Sequence, residues 1–102
     1  MRVNIPGHNY ALSNFEEDGY QNIQFIQKEP KEVGSTELKT INNGTTNEEV
    51  LAVLIDRLNF LNSKFPCREN SVAITHIETA LLWLNHRTAS RKTRGVEGKQ
   101  LA

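Results

Sequence analysis

The sequence is poor in cysteine, and this scarcity excludes one class of small protein. Cys67 is the single cysteine among 102 residues. One thiol forms no internal disulfide, so the disulfide-rich scaffold of many small secreted domains is excluded. Cys67 also lacks a CxxC partner, and His76 and His86 are too far apart in sequence to be a helical pair of metal ligands. We therefore expect no metal site and no cofactor.

Long apolar runs and catalytic signatures are also missing. No stretch approaches the roughly 20 apolar residues of a membrane span, and residues 1–8 contain no apolar core of a signal peptide. The chain has no phosphate-binding glycine loop and no GxSxG or GxGxxG motif. These absences predict a cytoplasmic protein with no membrane partner and no enzymatic activity.

The chain as a whole carries no excess of charge of either sign, but one segment has an excess of positive charge. Twelve basic residues balance twelve acidic residues, so net charge indicates no particular partner. Arg87, Arg91 and Arg94 recur at i, i+4 and i+7, which places three guanidinium groups on one helical face. Such a face binds phosphate oxygens. It is equally typical of a solvated helix end that complements the helix dipole.

The polar N-terminal segment, residues 1–44, has the pattern of short strands and turns. Alternating or β-branched sequences predict strands over residues 10–15, 23–27 and 37–41, separated by turns rich in glycine, asparagine and acidic residues. The segment therefore predicts a small antiparallel β-meander. It has too few apolar residues to be stable by itself.

Residues 45–98 are predicted to form a helical hairpin, followed by a C-terminal tail over residues 99–102. A capping box with Thr46 at the N-cap and Glu49 at N3 predicts the start of the first helix, and Pro66 ends it by about Lys64. The second helix is predicted over residues 69–93, with Gly95 just beyond its end. Apolar residues extend beyond a single stripe on both helices, which indicates a partner surface.

The predicted fold class of the whole chain is α+β. It is one domain with a small N-terminal antiparallel β-meander followed by a long antiparallel two-helix hairpin, assembled into a homo-oligomer.

Residues near the predicted turn could contact a nucleotide. Phe60 and Phe65 offer rings on which a base could stack, or they pack against the turn. Asn70 could read a base or ribose, or it could satisfy free amides at the helix start. Arg57 and Arg68 are candidate anion contacts or ordinary surface charges.

Three strings of residues carry a resemblance to a known family. They are Gly44-Thr45-Thr46-Asn47-Glu48-Glu49-Val50-Leu51, Lys64-Phe65-Pro66-Cys67-Arg68-Glu69-Asn70 and Arg94-Gly95-Val96-Glu97-Gly98. With the aliphatic runs between them, they resemble the phage Thoeris anti-defence sponges, which share a helical hairpin domain with the anti-CBASS cyclic-nucleotide sponges. The resemblance covers the C-terminal half to two-thirds of the chain.

The resemblance implies binding without catalysis. Its members hold signalling nucleotides made by TIR-domain proteins, chiefly glycocyclic ADP-ribose, and some hold cyclic dinucleotides in a separate pocket. It implies that Phe60 stacks on adenine, that Arg87 and Arg91 give cationic stacking and phosphate contacts, and that Asn70 gives polar contacts. Arg94 and Gly95 are the candidates for the second pocket. Lys99 follows Gly98 where the family is expected to have threonine, which counts against cyclic dinucleotide binding.

The resemblance also implies homodimers, and in some members hexamers that are trimers of dimers. Asn70 and Arg87 lie 17 residues apart, so about 25 Å separates them along one helix. If both line one pocket, they belong to different protomers packed antiparallel. Two other interpretations remain: a small helical interaction or DNA-binding regulatory module, and an enzyme that degrades the nucleotide.

Overall fold

A computed structural model describes residues 1–102, and the chain divides into two compact units. One unit comprises residues 1–46 and 98–101, and the other comprises residues 47–97 with residue 102. Antiparallel strands precede two helices, so the predicted α+β class is confirmed. Neither helix is long and apolar enough to cross a membrane. The elements in chain order are β1 (Arg2–Ile5), β2 (Asn9–Ser13), β3 (Tyr20–Gln24), β4 (Gln27–Pro30), β5 (Leu38–Asn42), α1 (Asn47–Lys64) and α2 (Arg68–Thr93).

The first sheet of the strand unit is an antiparallel meander in the order β1-β2-β3. Gly7, in the turn between β1 and β2, has φ 78°, a conformation that glycine adopts without steric cost. The register pairs Tyr10 with Ile23, and the rings of Tyr10 and Phe25 meet edge to face with centroids 6.0 Å apart. Ala11 is fully buried and forms the small core of this sheet.

The second sheet pairs β4 with β5, and the C-terminal segment joins it. Lys99 forms an antiparallel bridge with Glu37, and the backbone N–H of Gln100 donates to the Thr36 carbonyl oxygen at 2.8 Å. Residues 98–101 therefore belong with the strand unit although the hairpin precedes them in sequence.

The predicted count of three strands is wrong, because the structure has five strands in two sheets. The predicted strand over residues 23–27 spans the end of β3 and the start of β4. Between them, the backbone N–H of Phe25 donates to the His8 carbonyl at 2.7 Å, and that of Ile26 donates to the Thr45 carbonyl at 2.9 Å. These bonds redirect the chain from one sheet to the other. β1 was not predicted.

The helices of the second unit agree closely with the prediction. α1 begins directly after Thr46 and ends at Lys64. α2 begins one residue before the predicted start, because Cys67 is the N-cap and its Sγ accepts the backbone N–H of Asn70 at 3.4 Å. Asn62 joins the two helices: its side chain accepts the N–H of Cys67 at 2.9 Å and donates to Ser71 Oγ at 3.1 Å.

Packing between the helices leaves little buried surface. Ile74 is the one buried hydrophobic residue of the hairpin, and α1 contains no buried residue. On α1 the half-buried apolar residues are Val50, Leu51, Ile55 and Leu58, whereas Leu54 is exposed. Apolar residues of α1 extend beyond the area that α2 covers, so periodicity alone does not show which of them face α2.

Candidate functional site

The three arginines at the end of α2 differ in exposure. Arg87 and Arg94 are exposed, but Arg91 is buried, with 4% of its surface accessible. Its Nε donates to Glu97 Oε2 at 3.3 Å, and its Nη2 donates to the Val96 carbonyl oxygen at 2.8 Å. The predicted common face of three arginines therefore has two exposed cations and one enclosed cation.

The turn that supplies these acceptors is built by Gly95. This residue has φ 72°, where a side chain would be strained. The N–H of Gly95 donates to the Lys92 carbonyl at 3.1 Å, and the N–H of Val96 donates to the Arg91 carbonyl at 3.0 Å. This pair of bonds is the Schellman termination of a helix. It turns the chain back, so that Val96 and Glu97 reach the Arg91 guanidinium.

The other end of the hairpin carries the candidate aromatic residues. Phe60 is 54% exposed, and Lys64 Nζ lies 4.6 Å from the centroid of its ring. Phe65 is 83% exposed, Arg68 is exposed, and Asn70 is half-buried. Phe60 and Phe65 therefore have ring surface available for stacking.

A groove of about 540 Å³ runs along the outer surface of α1. Two of its lining residues, Arg57 and Phe60, are predicted ligand contacts. The full lining is Glu49, Ala52, Val53, Asp56, Arg57 and Phe60. These positions recur at i, i+3 and i+4, so they form one face of a single helix. The groove has one wall, and an enclosed pocket requires a second surface.

Residues at the two ends of one hairpin are not brought together. Arg87 lies 19 residues beyond the first residue of α2, which is about 29 Å along the helix axis. Phe60 lies one turn before the end of α1, next to the start of α2. A single hairpin therefore separates Phe60 and Asn70 from Arg87. No group of three histidine, cysteine or acidic residues is positioned to hold a metal ion.

Residues 17–89 match the model of a protein family described as the Acb2/Tad1 hairpin domain. The chain belongs to the Acb2/Tad1 hairpin family. A protein of Bacillus phage SBSphiJ7 named Thoeris anti-defense 1 is 60% identical over 57 residues, which are 55% of this chain and 40% of that protein. The aligned segment thus spans less than half the length of this phage relative.

The Acb2/Tad1 match divides the candidate residues into two groups. Phe60, Asn70 and Arg87 lie within residues 17–89, as do Phe65, Arg57 and Arg68. Arg91, Arg94 and Gly95 follow the matched region. The matched region ends inside α2, which continues to Thr93.

Four residues of the α1 groove were not predicted to belong to a site: Glu49, Ala52, Val53 and Asp56. A signal for them was present, since each lies at helical spacing from Arg57 or Phe60. They were overlooked because carboxylates and small apolar residues on a helix are also typical of an ordinary solvated face. Only the structure shows that they line the same groove as the aromatic ring.

Proposed function

We propose that this protein is a phage counter-defence protein that binds and holds a nucleotide immune signal without cleaving it. The observation that carries the proposal is the 60% identity over 57 residues to Thoeris anti-defense 1, together with the match to the Acb2/Tad1 hairpin domain. The protein would act in the host cell cytoplasm, where it would keep the signal from the Thoeris effector.

The proposed ligand is glycocyclic ADP-ribose, whose chemistry suits the exposed candidate residues. The accessible ring of Phe60 offers a stacking surface for adenine. The exposed guanidinium of Arg87 offers forked donors to a pyrophosphate. Asn70 offers a side-chain amide that both donates and accepts hydrogen bonds.

Two antiparallel protomers would form each pocket, with Phe60 and Asn70 from one chain and Arg87 from its partner. Such an isologous homodimer has two equivalent pockets, and further association of dimers would give a hexamer. Exposed apolar residues on both helices support association. Among them are Val53, Leu82 and Trp83, which are between 61% and 68% exposed.

Arg91 and the turn after it would contact ligands in different ways. The Arg91 guanidinium would reach a ligand only by leaving Glu97 and Val96, so we assign the first phosphate contact to Arg87. Arg94 and Gly95 are the candidates for a second pocket that takes a cyclic dinucleotide. Adding a cyclic dinucleotide as a second ligand in the binding experiment tests this part.

Calorimetry with glycocyclic ADP-ribose tests the proposal, followed by heat release and mass spectrometry of the ligand. We expect binding at micromolar concentration or tighter and recovery of the intact molecule. Recovery of an altered molecule would show an enzyme that degrades the nucleotide. Binding to DNA that weakens with salt, together with no nucleotide binding, would indicate a regulatory module instead.

A matched pair of charge variants makes the test specific. Arg87→Ala should weaken binding by about tenfold or more, because a charge-assisted contact to phosphate is lost. Lys92→Ala removes an exposed positive charge from the same end of α2 and should leave binding unchanged. Equal affinities for the two variants would contradict the assigned phosphate contact.

A further inference from the structure

Trp83, the single tryptophan of the chain, is exposed on α2, with 66% of its surface accessible. Tryptophan is a highly buried residue on average, so an indole this exposed is unusual. Its neighbours on the helix surface, three and four residues away, are Thr79, Ala80, His86 and Arg87. Helical side chains lean towards the N-terminal end of the helix. The indole is therefore directed over the small side chains of Thr79 and Ala80, which leave a ring face uncovered.

His86 orients the Trp83 ring. The two rings meet edge to face, with centroids 5.9 Å apart and an angle of 90° between their planes. This arrangement is the one that the quadrupoles of aromatic rings favour. A ring that is already oriented loses less side-chain entropy when a ligand stacks on it.

The charge beside Trp83 is positive, which suits an anionic ligand. Arg87 is exposed and lies one turn after Trp83, so their Cβ atoms are about 5–6 Å apart. The four neighbours of Trp83 on the helix surface include no acidic residue. A phosphate held by Arg87 would therefore meet attraction and no opposing carboxylate at these positions.

The order of these groups along α2 matches the covalent order of a nucleotide. One ribose joins the base of a nucleotide to its phosphate, and one helical turn of about 5.4 Å separates Trp83 from Arg87. A base stacked on Trp83 therefore places its own phosphate near Arg87, with the ribose between the two. The base, the sugar and the phosphate follow one another along the helix in the order in which they are bonded.

We propose that Trp83 is a specificity-determining residue whose indole stacks on the adenine of the bound nucleotide. Phe60 of the second protomer contacts the opposite face of the same base, which is then held between two rings. This inference rests on the proposed function, because Phe60 and Arg87 meet only in the antiparallel dimer. It adds a second aromatic contact, from the chain that supplies the phosphate contact, and this contact selects a ligand with a planar base.

Intrinsic fluorescence tests the contact directly, because Trp83 is the one tryptophan of the chain. Excitation at a wavelength that tyrosine does not absorb reports on this ring alone. Acrylamide, a neutral quencher, should reach the ring in the ligand-free protein. Saturating glycocyclic ADP-ribose should change the emission and protect the ring from acrylamide. A ring that acrylamide does not reach without ligand, and whose emission the ligand does not change, would be buried between protein chains and would overturn the inference.

Two substitutions of Trp83 separate stacking from apolar packing. Trp83→Leu keeps an apolar side chain but removes the aromatic face, so glycocyclic ADP-ribose should bind about fivefold or more weakly. Trp83→Phe keeps an aromatic face and should bind within about threefold of the wild type. Phe15→Ala removes a fully exposed ring between β2 and β3 and should bind as the wild type does.

Light scattering of each variant shows whether the affinity changes through association. All three variants should have the mass of the wild type. A Trp83→Leu protein that dissociates to monomers would show that the indole packs between chains, and this result would overturn the stacking role. Circular dichroism checks that α2 is intact, as expected for substitution at an exposed position.

The outcomes separate this inference from the proposed function. If calorimetry shows that the wild type binds glycocyclic ADP-ribose and that Trp83→Leu binds it within about twofold, the role of Trp83 is wrong and the proposed function stands. If the wild type binds no glycocyclic ADP-ribose, both are wrong.

Discussion

Arg91 is the one arginine of this chain whose side chain is buried. A buried guanidinium is unfavourable unless acceptors meet its donors. Glu97 and Val96 supply such acceptors, and both lie beyond the end of α2. Sequence spacing correctly places three arginines at the end of α2, but it cannot show that one of them meets a carboxylate six residues later. That pairing depends on the direction in which the chain leaves Gly95.

Replacing Glu97 should therefore reduce the stability of the helix end. Glu97→Ala leaves the buried Nε of Arg91 without its carboxylate, at a cost of about 1–2 kcal/mol. For a chain of this size, each kcal/mol lowers the melting temperature by about 4–8 °C. Thermal unfolding followed by circular dichroism, at one fixed protomer concentration, measures the change.

Glu78→Ala is the control for Glu97→Ala, since Glu78 is exposed in the middle of α2. We expect its melting temperature to stay close to that of the wild type. A Glu97→Ala protein as stable as Glu78→Ala would show that the ion pair does not contribute to stability.

The two phenylalanines near the turn should have unequal effects on ligand binding. Phe60 lines the α1 groove, whereas Phe65 lies outside it with 83% of its surface exposed. Phe60→Ala removes a stacking contact of about 1–3 kcal/mol, so glycocyclic ADP-ribose should bind about 5- to 150-fold more weakly. Phe65→Ala should change the affinity less than threefold. Calorimetry that shows the larger loss for Phe65→Ala would contradict the choice of ring.

At the scale of elements, the helices were more predictable than the strands. A capping box, a proline and a glycine mark three ends of α1 and α2, and each signal acts within a few residues. The strands depend on distant partners: Phe25 bonds to His8, and Ile26 bonds to Thr45. No local pattern encodes those contacts, so one continuous strand was predicted where the chain changes sheets.

The crossing point between the sheets depends on Gly44. A Cβ atom added there would lie 2.3 Å from the Gln24 carbonyl oxygen and 2.7 Å from the Phe25 carbonyl carbon. These are backbone atoms that cannot rotate away, so Gly44→Ala must displace the segment in which Thr45 N–H donates to Gln24 at 2.9 Å. We expect a loss of about 2 kcal/mol or more, in the upper part of the range for single substitutions.

Gly34→Ala provides the comparison for Gly44→Ala. Gly34 has φ 81°, but an added Cβ would meet no atom within 4 Å. It should cost only the backbone strain of about 1–2 kcal/mol. Urea unfolding measures the difference in unfolding free energy between the two variants. If Gly44→Ala were more stable than Gly34→Ala, the backbone around residue 44 would be able to move away from an added Cβ atom.

At the scale of the whole molecule, the residues of the candidate site can meet only when two chains associate. Helical spacing places Arg57 beside Phe60, and the structure finds both in one groove. The distance between Asn70 and Arg87 follows from helix rise alone. Which protomer supplies each residue depends on association, and the sequence of one chain does not encode the packing angle. The hairpin has a single buried hydrophobic residue. Its other apolar side chains stay accessible to solvent, so burying them against a second chain would favour association.

We expect a homodimer in solution, with a mass twice the 11.6 kDa of one chain. Val50, Leu54 and Leu61 form a stripe on α1 beside the face that packs on α2, and Leu54 is 42% exposed. Burying such a stripe is favourable by about 25 cal/mol per Å², and Leu54→Lys would place a charge within it.

Light scattering after gel filtration should find a dimer for the wild type and a shift towards monomer for Leu54→Lys. Val33→Lys, at a fully exposed apolar position outside the hairpin, should remain dimeric. A wild-type monomer at micromolar concentration would contradict a pocket shared between protomers, because one hairpin keeps Phe60 and Arg87 at opposite ends.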